Sequence, residues 1–229
     1  MSIILFIRHG TNDFVGKRLA GRLPDVHLNE HGRQQAQVVA QALCRLPFKA
    51  IYSSPLDRAV ETAQPLADAL GLPVNLQPGL LEIDFGEWQG LSIGRLRRRK
   101  MWKTVQENPA SMRFPGGESF AEAQSRLAQS VDAIVAGHDK MDMLACFSHS
   151  DAIRLLVAYA LGLPLDNFQR LSIDTATMTL IGWGGPVPFL GPVNMYLTPG
   201  MAEDLQKMFQ PPKPHRVRKP KETDAISKK

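Results

Sequence analysis

Residues 3–12 read IILFIRHGTN, and this stretch decides the fold. Five consecutive apolar residues, 3–7, run without a polar break into Arg8, His9 and Gly10. An unbroken apolar run of this length fits a short strand covered on both faces, as strands of parallel sheets are. Open α/β sheets bind ligands beyond the carboxyl ends of their strands. There the chain places one permanent cation and one group that titrates near neutrality. Arg8 and His9 are therefore candidate site residues. The plain alternative, a solvated arginine and a structural histidine, stands until a second strand end points to the same place.

Residues 141–162, MDMLACFSHSDAIRLLVAYALG, supply that second end. An apolar strand again stops at a histidine, His149, and a helix starts at once, with Ser148 or Ser150 as the expected N-cap. Between these stretches strand and helix patterns alternate at the spacing of βαβ units. Residues 28–46 form a helix capped by Asn29, with Ala36, Val39, Ala40 and Leu43 on one face. Residues 49–54 form a strand. Residues 55–71 form a helix with Pro55 near its start, Pro65 inside it and Gly71 past its end. Residues 91–112 read as irregular helices. Residues 119–137 read as a long helix whose apolar stripe is Phe120, Ala123, Leu127, Val131 and Ile134. Residues 175–183 and 193–198 read as late strands, possible partners in an edge hairpin. The expected fold is an α/β domain, a three-layer α/β/α sandwich with a mostly parallel sheet.

Composition agrees with a globular domain. The chain has 229 residues, 44% hydrophobic and 21% charged, enough for one substantial core. No segment is long enough for a membrane span, so no membrane partner is expected. Two cysteines, Cys44 and Cys146, support no disulfide framework, and the expected compartment is cytoplasmic. CxxC and HExxH patterns are absent; His27 and His31 straddle a helix start, and no metal is expected there. The net charge of +5 has a local origin. Residues 211–229 hold seven of the 27 Lys/Arg and two of the 22 Asp/Glu, leaving 20 of each in residues 1–210. The expected division is one domain over 1–210 and a basic, Pro/Lys-rich, disordered tail over 211–229. Nucleic acid is accordingly not expected as a partner beyond a weak tail contact.

A third strand end supplies Arg58, in the first helical turn after SSPLD, where the helix dipole disfavours a cation by a few tenths of a kcal/mol. Pairing with Asp57 or Glu61 would offset little. A bound anion would offset more, since helix N-termini and guanidinium groups both favour phosphate.

Five motifs in order now define a resemblance: RHG at 8–10, SSPLDRAVETA at 53–63, LLEIDFGEWQG at 80–90, FPGGES at 114–119 and FSHSDAIR at 147–154. Over residues 3–183 the chain resembles the histidine phosphatase superfamily, which includes phosphoglycerate mutases and broad phosphomonoesterases. The resemblance implies that His9 is the nucleophile that becomes phosphorylated. It implies that Arg8, Arg58 and His149 hold the phosphoryl group, and that Glu82 is the general acid and base, with Asp84 as the substitute candidate. It implies no cofactor.

The chemistry of these residue types agrees. Neutral imidazole is a competent nucleophile, and a covalent intermediate divides one hard hydrolysis into two easier steps. Phosphoryl transfer needs positioning and charge stabilisation, which two guanidiniums and a protonated or donating His149 would supply. A carboxylic acid must protonate the leaving alkoxide and then activate water, and the apolar neighbours of Glu82 would raise its pKa toward neutrality. The optimum expected on this basis is mildly acidic to neutral, with Glu82 and His149 both protonated.

The chain departs from the family pattern after RHG, where Thr11 and Asn12 follow and the loop to LAGR is one residue shorter. Thr11, Asn12 and the backbone at Gly21 are carried over as substrate contacts. Arg22 reads as a solvated residue or an anion reader, and RLRRRK at 95–100 as a solvated helix face. The expected activity is a metal-independent phosphomonoesterase acting on a small phosphorylated substrate. The alternatives are a phosphoglycerate mutase-type phosphotransferase and a non-catalytic polyanion binder. A homodimer is the default oligomer.

Overall fold

A computed structural model describes residues 1–208; the expected basic tail lies outside them. Six strands form one sheet: β1 (Ser2–Arg8), β2 (Phe48–Ser53), β3 (Val74–Leu76), β4 (Met143–Ser148), β5 (Met178–Trp183) and β6 (Phe189–Leu190). Their spatial order is β3-β2-β4-β1-β5-β6. The first four run parallel, β5 runs antiparallel to β1, and β6 antiparallel to β5. The mostly parallel sheet is thus present. β4 and β5 are buried at every residue, as strands covered on both faces must be.

Among the described residues seven α-helices follow in order: α1 (Glu30–Leu43), α2 (Asp57–Leu70), α3 (Ile93–Leu96), α4 (Lys100–Glu107), α5 (Phe120–Ala136), α6 (Ser150–Leu161) and α7 (Ala202–Met208). Two apolar layers hold them to the sheet. Alternate β1 residues Leu5 and Ile7 join Val39, Leu43, Ala63 and Leu66 of α1 and α2. Ile4 and Phe6 join Phe120, Leu127, Ile153 and Leu156 of α5 and α6 on the other face. The period-2 alternation of one strand divides the core in two. Local signals place the helices. The Asn29 side chain accepts from Gly32 N, Ser119 and Glu122 form a reciprocal capping box, and Gly71 ends α2 in the left-handed conformation at φ 66°.

Two expectations are corrected. Residues 193–198 form no strand: Asn194 sits at φ 54° and its Oδ1 accepts from Asp174 N, so Met195 makes only one bridge to β5. The hairpin partner of β5 is β6, and β5 is interior. Neither Ser148 nor Ser150 caps α6; both hydroxyls donate to loop carbonyls, of Leu80 and Ile173. His149 is the N-cap residue and supplies no side-chain cap bond. Among the described residues no helix is long and apolar enough to cross a membrane.

Candidate active site

The register of two neighbouring strands builds the centre. β1 and β4 are parallel and adjacent, with Arg8 opposite Ser148. The next residue of each is a histidine, and His9 N continues the ladder to Ser148 O at 3.0 Å. The two imidazoles are therefore neighbours, with ring centroids 5.2 Å apart. β2 flanks β4 on its other side, so Ser54 follows its strand beside them and its hydroxyl lies 2.8 Å from His149 Nε2. Three residues further α2 begins, bringing in Arg58.

Gly10 holds its place by close approach. A Cβ there would lie 2.7 Å from Gly32 O, and one on Gly32 would lie 2.0 Å from Thr11 O. The glycines of the two HG pairs, 9–10 and 31–32, thus let the loop after β1 lie directly on the start of α1.

A cleft of 210 Å³ opens at these strand ends, lined by Arg8, His9, Asn12, Gly21, Arg58 and Glu82, together with residues of the following loop and of α6. Arg58 is 1% exposed. Its Nη2 donates to Gly21 O at 2.6 Å, while Nε and Nη1 have no partner. Among the described residues, eight buried side-chain N or O atoms lack a hydrogen-bond partner. Six are donors at this centre: Arg8 Nε, Asn12 Nδ2, Arg58 Nε and Nη1, His149 Nδ1 and Arg154 Nε. Buried donors are rarely left unpaired in proteins, and a concentration of them around three guanidiniums is a cradle for an anion.

The protonation states follow from the contacts. His9 Nδ1 lies 2.7 Å from Gly10 O; a carbonyl only accepts, so Nδ1 carries the proton and Nε2 keeps its lone pair. Burial, then Arg58 and Arg8, hold the His9 pKa well below the usual histidine value. His149 is also lowered, by burial and then Arg58, His9 and Arg8. Of the two states expected for His149, protonated or donating, this environment favours the neutral donor. With no carboxylate bonded to it and cations on two sides, its imidazole is neutral. The Ser54 hydroxyl, which accepts from Leu56 N at 3.4 Å, has its own proton for Nε2, so His149 Nδ1–H is the free donor. Fully buried, His149 backs onto His9 rather than onto the cleft wall. The Arg58 guanidinium is lowered to about 10 by burial.

Glu82 is 8% exposed and its pKa is raised to about 7, chiefly by burial and then by Asp151, against the pull of Ile83 N–H and the two arginines. Its Oε1 accepts from Ala152 N at 3.2 Å. Ala152 is the third residue of α6, so Glu82 performs the capping that the neighbouring serines do not. Asp84 is turned elsewhere, accepting from Gly86 N and lying 3.6 Å from Arg22.

The weaker expectations divide. Asn12 is buried, its Oδ1 accepting from Phe14 N and its amide nitrogen unpartnered at the cleft. Gly21 lines the cleft, with its carbonyl engaged by Arg58. Thr11 does not line it: its hydroxyl bonds Thr175 and its N–H bonds Gln35, drawn outward by the start of α1. Arg22 is neither solvated nor facing the anion cradle. It bonds Glu118 at 2.7 Å and Glu82 O at 2.9 Å, and Arg126 grips the same Glu118 at 2.9 Å. These two arginines fix the backbone of the Glu82 segment. Arg154 and Asp151, which the sequence reading passed over, join the cleft from α6 and pair at 3.0 Å; they stand one turn beyond His149 in the same motif. None of the RLRRRK side chains lines the cleft. His27 groups with Asp25 and Asp57, not with His31, with ligand atoms within 4.8 Å of one another. That exposed group lies outside the cleft, and His27 already bonds Glu61 at 2.5 Å.

Comparison with known proteins agrees with this geometry. The family model for the histidine phosphatase superfamily, branch 1, matches residues 4–194. Phosphoserine phosphatase 1 of Hydrogenobacter thermophilus is 31% identical over 182 residues, 78% of this chain and 85% of that protein. A probable phosphoglycerate mutase of Erwinia tasmaniensis is 30% identical over 180 residues, covering 78% of this chain and 83% of its own length. The structure of mycobacterial glucosyl-3-phosphoglycerate phosphatase complexed with VO3 superposes with a TM-score of 0.77 at 30% identity, covering 84% of this chain and 98% of that one. The chain belongs to the histidine phosphatase superfamily, branch 1. Its expected fold and its expected class, a hydrolase of phosphomonoesters, stand with those relatives.

Proposed function

We propose that the chain hydrolyses a small phosphomonoester through a phosphohistidine on Nε2 of His9. One observation supports this above the others: an imidazole with a fixed lone pair stands among unpartnered guanidinium and amide donors, with a buried carboxyl in the same cleft.

In the first half-reaction Nε2 attacks phosphorus and the P–O bond to the alcohol breaks. Glu82 gives its proton to the leaving oxygen. The positive charge gained by the imidazole is shared with Gly10 O through Nδ1–H. In the second half-reaction water attacks phosphorus, the P–N bond breaks and the Glu82 carboxylate takes the water's proton. Arg8, Arg58 and Asn12, which line the cleft, hold the phosphoryl oxygens as their charge shifts, and His149 supports His9 from behind.

A phosphotransferase would use the same residues, and one relative is named as a probable mutase. Hydrolysis is favoured because the cleft opens to water. In the reading we adopt, one domain over 1–210 carries the activity in the cytoplasm, which the two free cysteines suit. Incubation with a ³²P-labelled phosphomonoester, acid-avoiding quench and electrophoresis tests the mechanism. Label should appear on the wild type and be absent from His9→Ala, with hydrolysis lowered at least 10³-fold. Undiminished turnover by His9→Ala would refute it. Rapid isomerisation of phosphoglycerate with little free phosphate would make the protein a mutase.

A further inference from the structure

Beside the cleft lies a second concavity of 220 Å³, and the two share Leu19, Phe85, Asp151 and Arg154 as a common wall. Five of its eleven lining residues are aromatic. Trp88, Phe114 and Phe120 are buried, and Trp102 of α4 stands half-buried beside them. The Trp88 and Trp102 rings are within 18° of parallel with centroids 6.4 Å apart, and Phe114 meets Trp88 nearly edge-on at 5.3 Å. An aromatic cluster serving only as core would close on itself at native packing density. This one leaves a hollow, and an apolar hollow of about 150 Å³ already takes up benzene.

Two buried donors border the hollow without a partner, Trp88 Nε1 and Arg154 Nε. Buried indole N–H groups usually find an acceptor. Arg154 is also paired with Asp151 at 3.0 Å, so the pair presents a donor but little net charge. A bare carboxylate entering here would lose its hydration against five aromatic rings and meet Asp151 as well. A ring with an acceptor atom would meet the five rings and find donors in Trp88 Nε1 and Arg154 Nε.

The wall shared with the cleft makes this hollow the neighbouring space for a leaving group. Glu82 must face the leaving oxygen, and Phe85, three residues on, lines both concavities. We infer that the aromatic hollow is the subsite for the leaving alcohol, and that the substrate is a phosphate ester of an alcohol bearing an aromatic ring, not a small hydroxy acid. The inference rests on the phosphomonoesterase reading and specifies its substrate class.

Initial rates with the full chain on 2-phenylethyl phosphate, n-propyl phosphate and 3-phosphoglycerate test it. The first two release primary alkoxides of similar basicity, so a difference reports the ring and not the chemistry. The kcat/KM for 2-phenylethyl phosphate should exceed each of the others at least tenfold. Trp102→Ala should reduce the advantage over n-propyl phosphate to less than threefold, and Trp102→Phe should retain most of it. Equal values for the two alkyl esters, a preference for 3-phosphoglycerate, or an advantage that survives Trp102→Ala would overturn the subsite and leave the phosphatase reading intact. No hydrolysis of any ester together with no labelled His9 would instead remove the reading beneath it.

Discussion

Glu82 shows how opposed effects on one side chain set a working pKa. Burial and Asp151 favour its neutral form, while Arg58, Arg8 and the Ile83 N–H favour its charged form; the balance near 7 suits the acid and base role proposed for it. Stability should carry the mark of that balance. A carboxyl whose folded pKa exceeds its unfolded value weakens folding as pH climbs from its ordinary range to about 7, by roughly 3 kcal/mol once fully ionised. Glu82→Gln should therefore raise Tm by several degrees at pH 8 and by almost nothing at pH 5, read by calorimetry at both. The buried histidines act in the opposite direction: their lowered pKa values withdraw stability as pH falls below about 6.5. That Arg8, His9, Arg58 and Glu82 would meet at one cleft was legible from motif order. The neutral state of His149 was not, because burial and two nearby guanidiniums are tertiary facts. Arg154 escaped for a similar reason, since its position in FSHSDAIR says nothing of the cleft that α6 turns it toward.

Strand register and helix starts do the positioning. Because β1 and β4 are parallel neighbours with Arg8 opposite Ser148, two histidines 140 positions apart need no further device to meet. The Gly10–Gly32 approach fixes the loop after β1. Gly32→Ala would press a Cβ to 2.0 Å from Thr11 O, and backbone cannot yield as a flexible side chain can. Overpacking of this kind typically costs about 1–3 kcal/mol. The expected result is a lower urea midpoint with unchanged m-value, accompanied by a kcat loss exceeding tenfold as His9 shifts. Helix identity was readable from periodicity and caps, as the Asn29 cap attests. The start of α6 misled because its cap comes from Glu82, 70 positions away. Residues 193–198 misled because alternation cannot reveal that Asn194 leaves the extended region.

Across the molecule, charge and chemistry separate. Residues 1–210 are formally neutral and the excess of basic residues belongs to 211–229, so deletion of 211–229 should leave kcat/KM for a small ester within twofold at 150 mM salt. A loss beyond tenfold would mean that the tail serves the active site. The three-layer plan was legible because the apolar runs 3–7, 49–54 and 143–148 alternate with helical patterns; the aromatic hollow was not, since Trp88 and Trp102 are only core-forming residues until the turn at 86–88 and α4 place them beside the cleft. One consequence of the helix cap made by Glu82 remains. That carboxyl is poised between the start of α6 and a basin of unpaired cations, so a dianion settling among Arg8 and Arg58 withdraws the attraction that favours its ionised form. Arrival of the ester itself should then arm the acid, and the complex should absorb protons from solution. Titration calorimetry with inorganic phosphate at pH 7.5, in buffers of differing ionisation enthalpy, should register that uptake in the wild type and far less of it in Glu82→Gln.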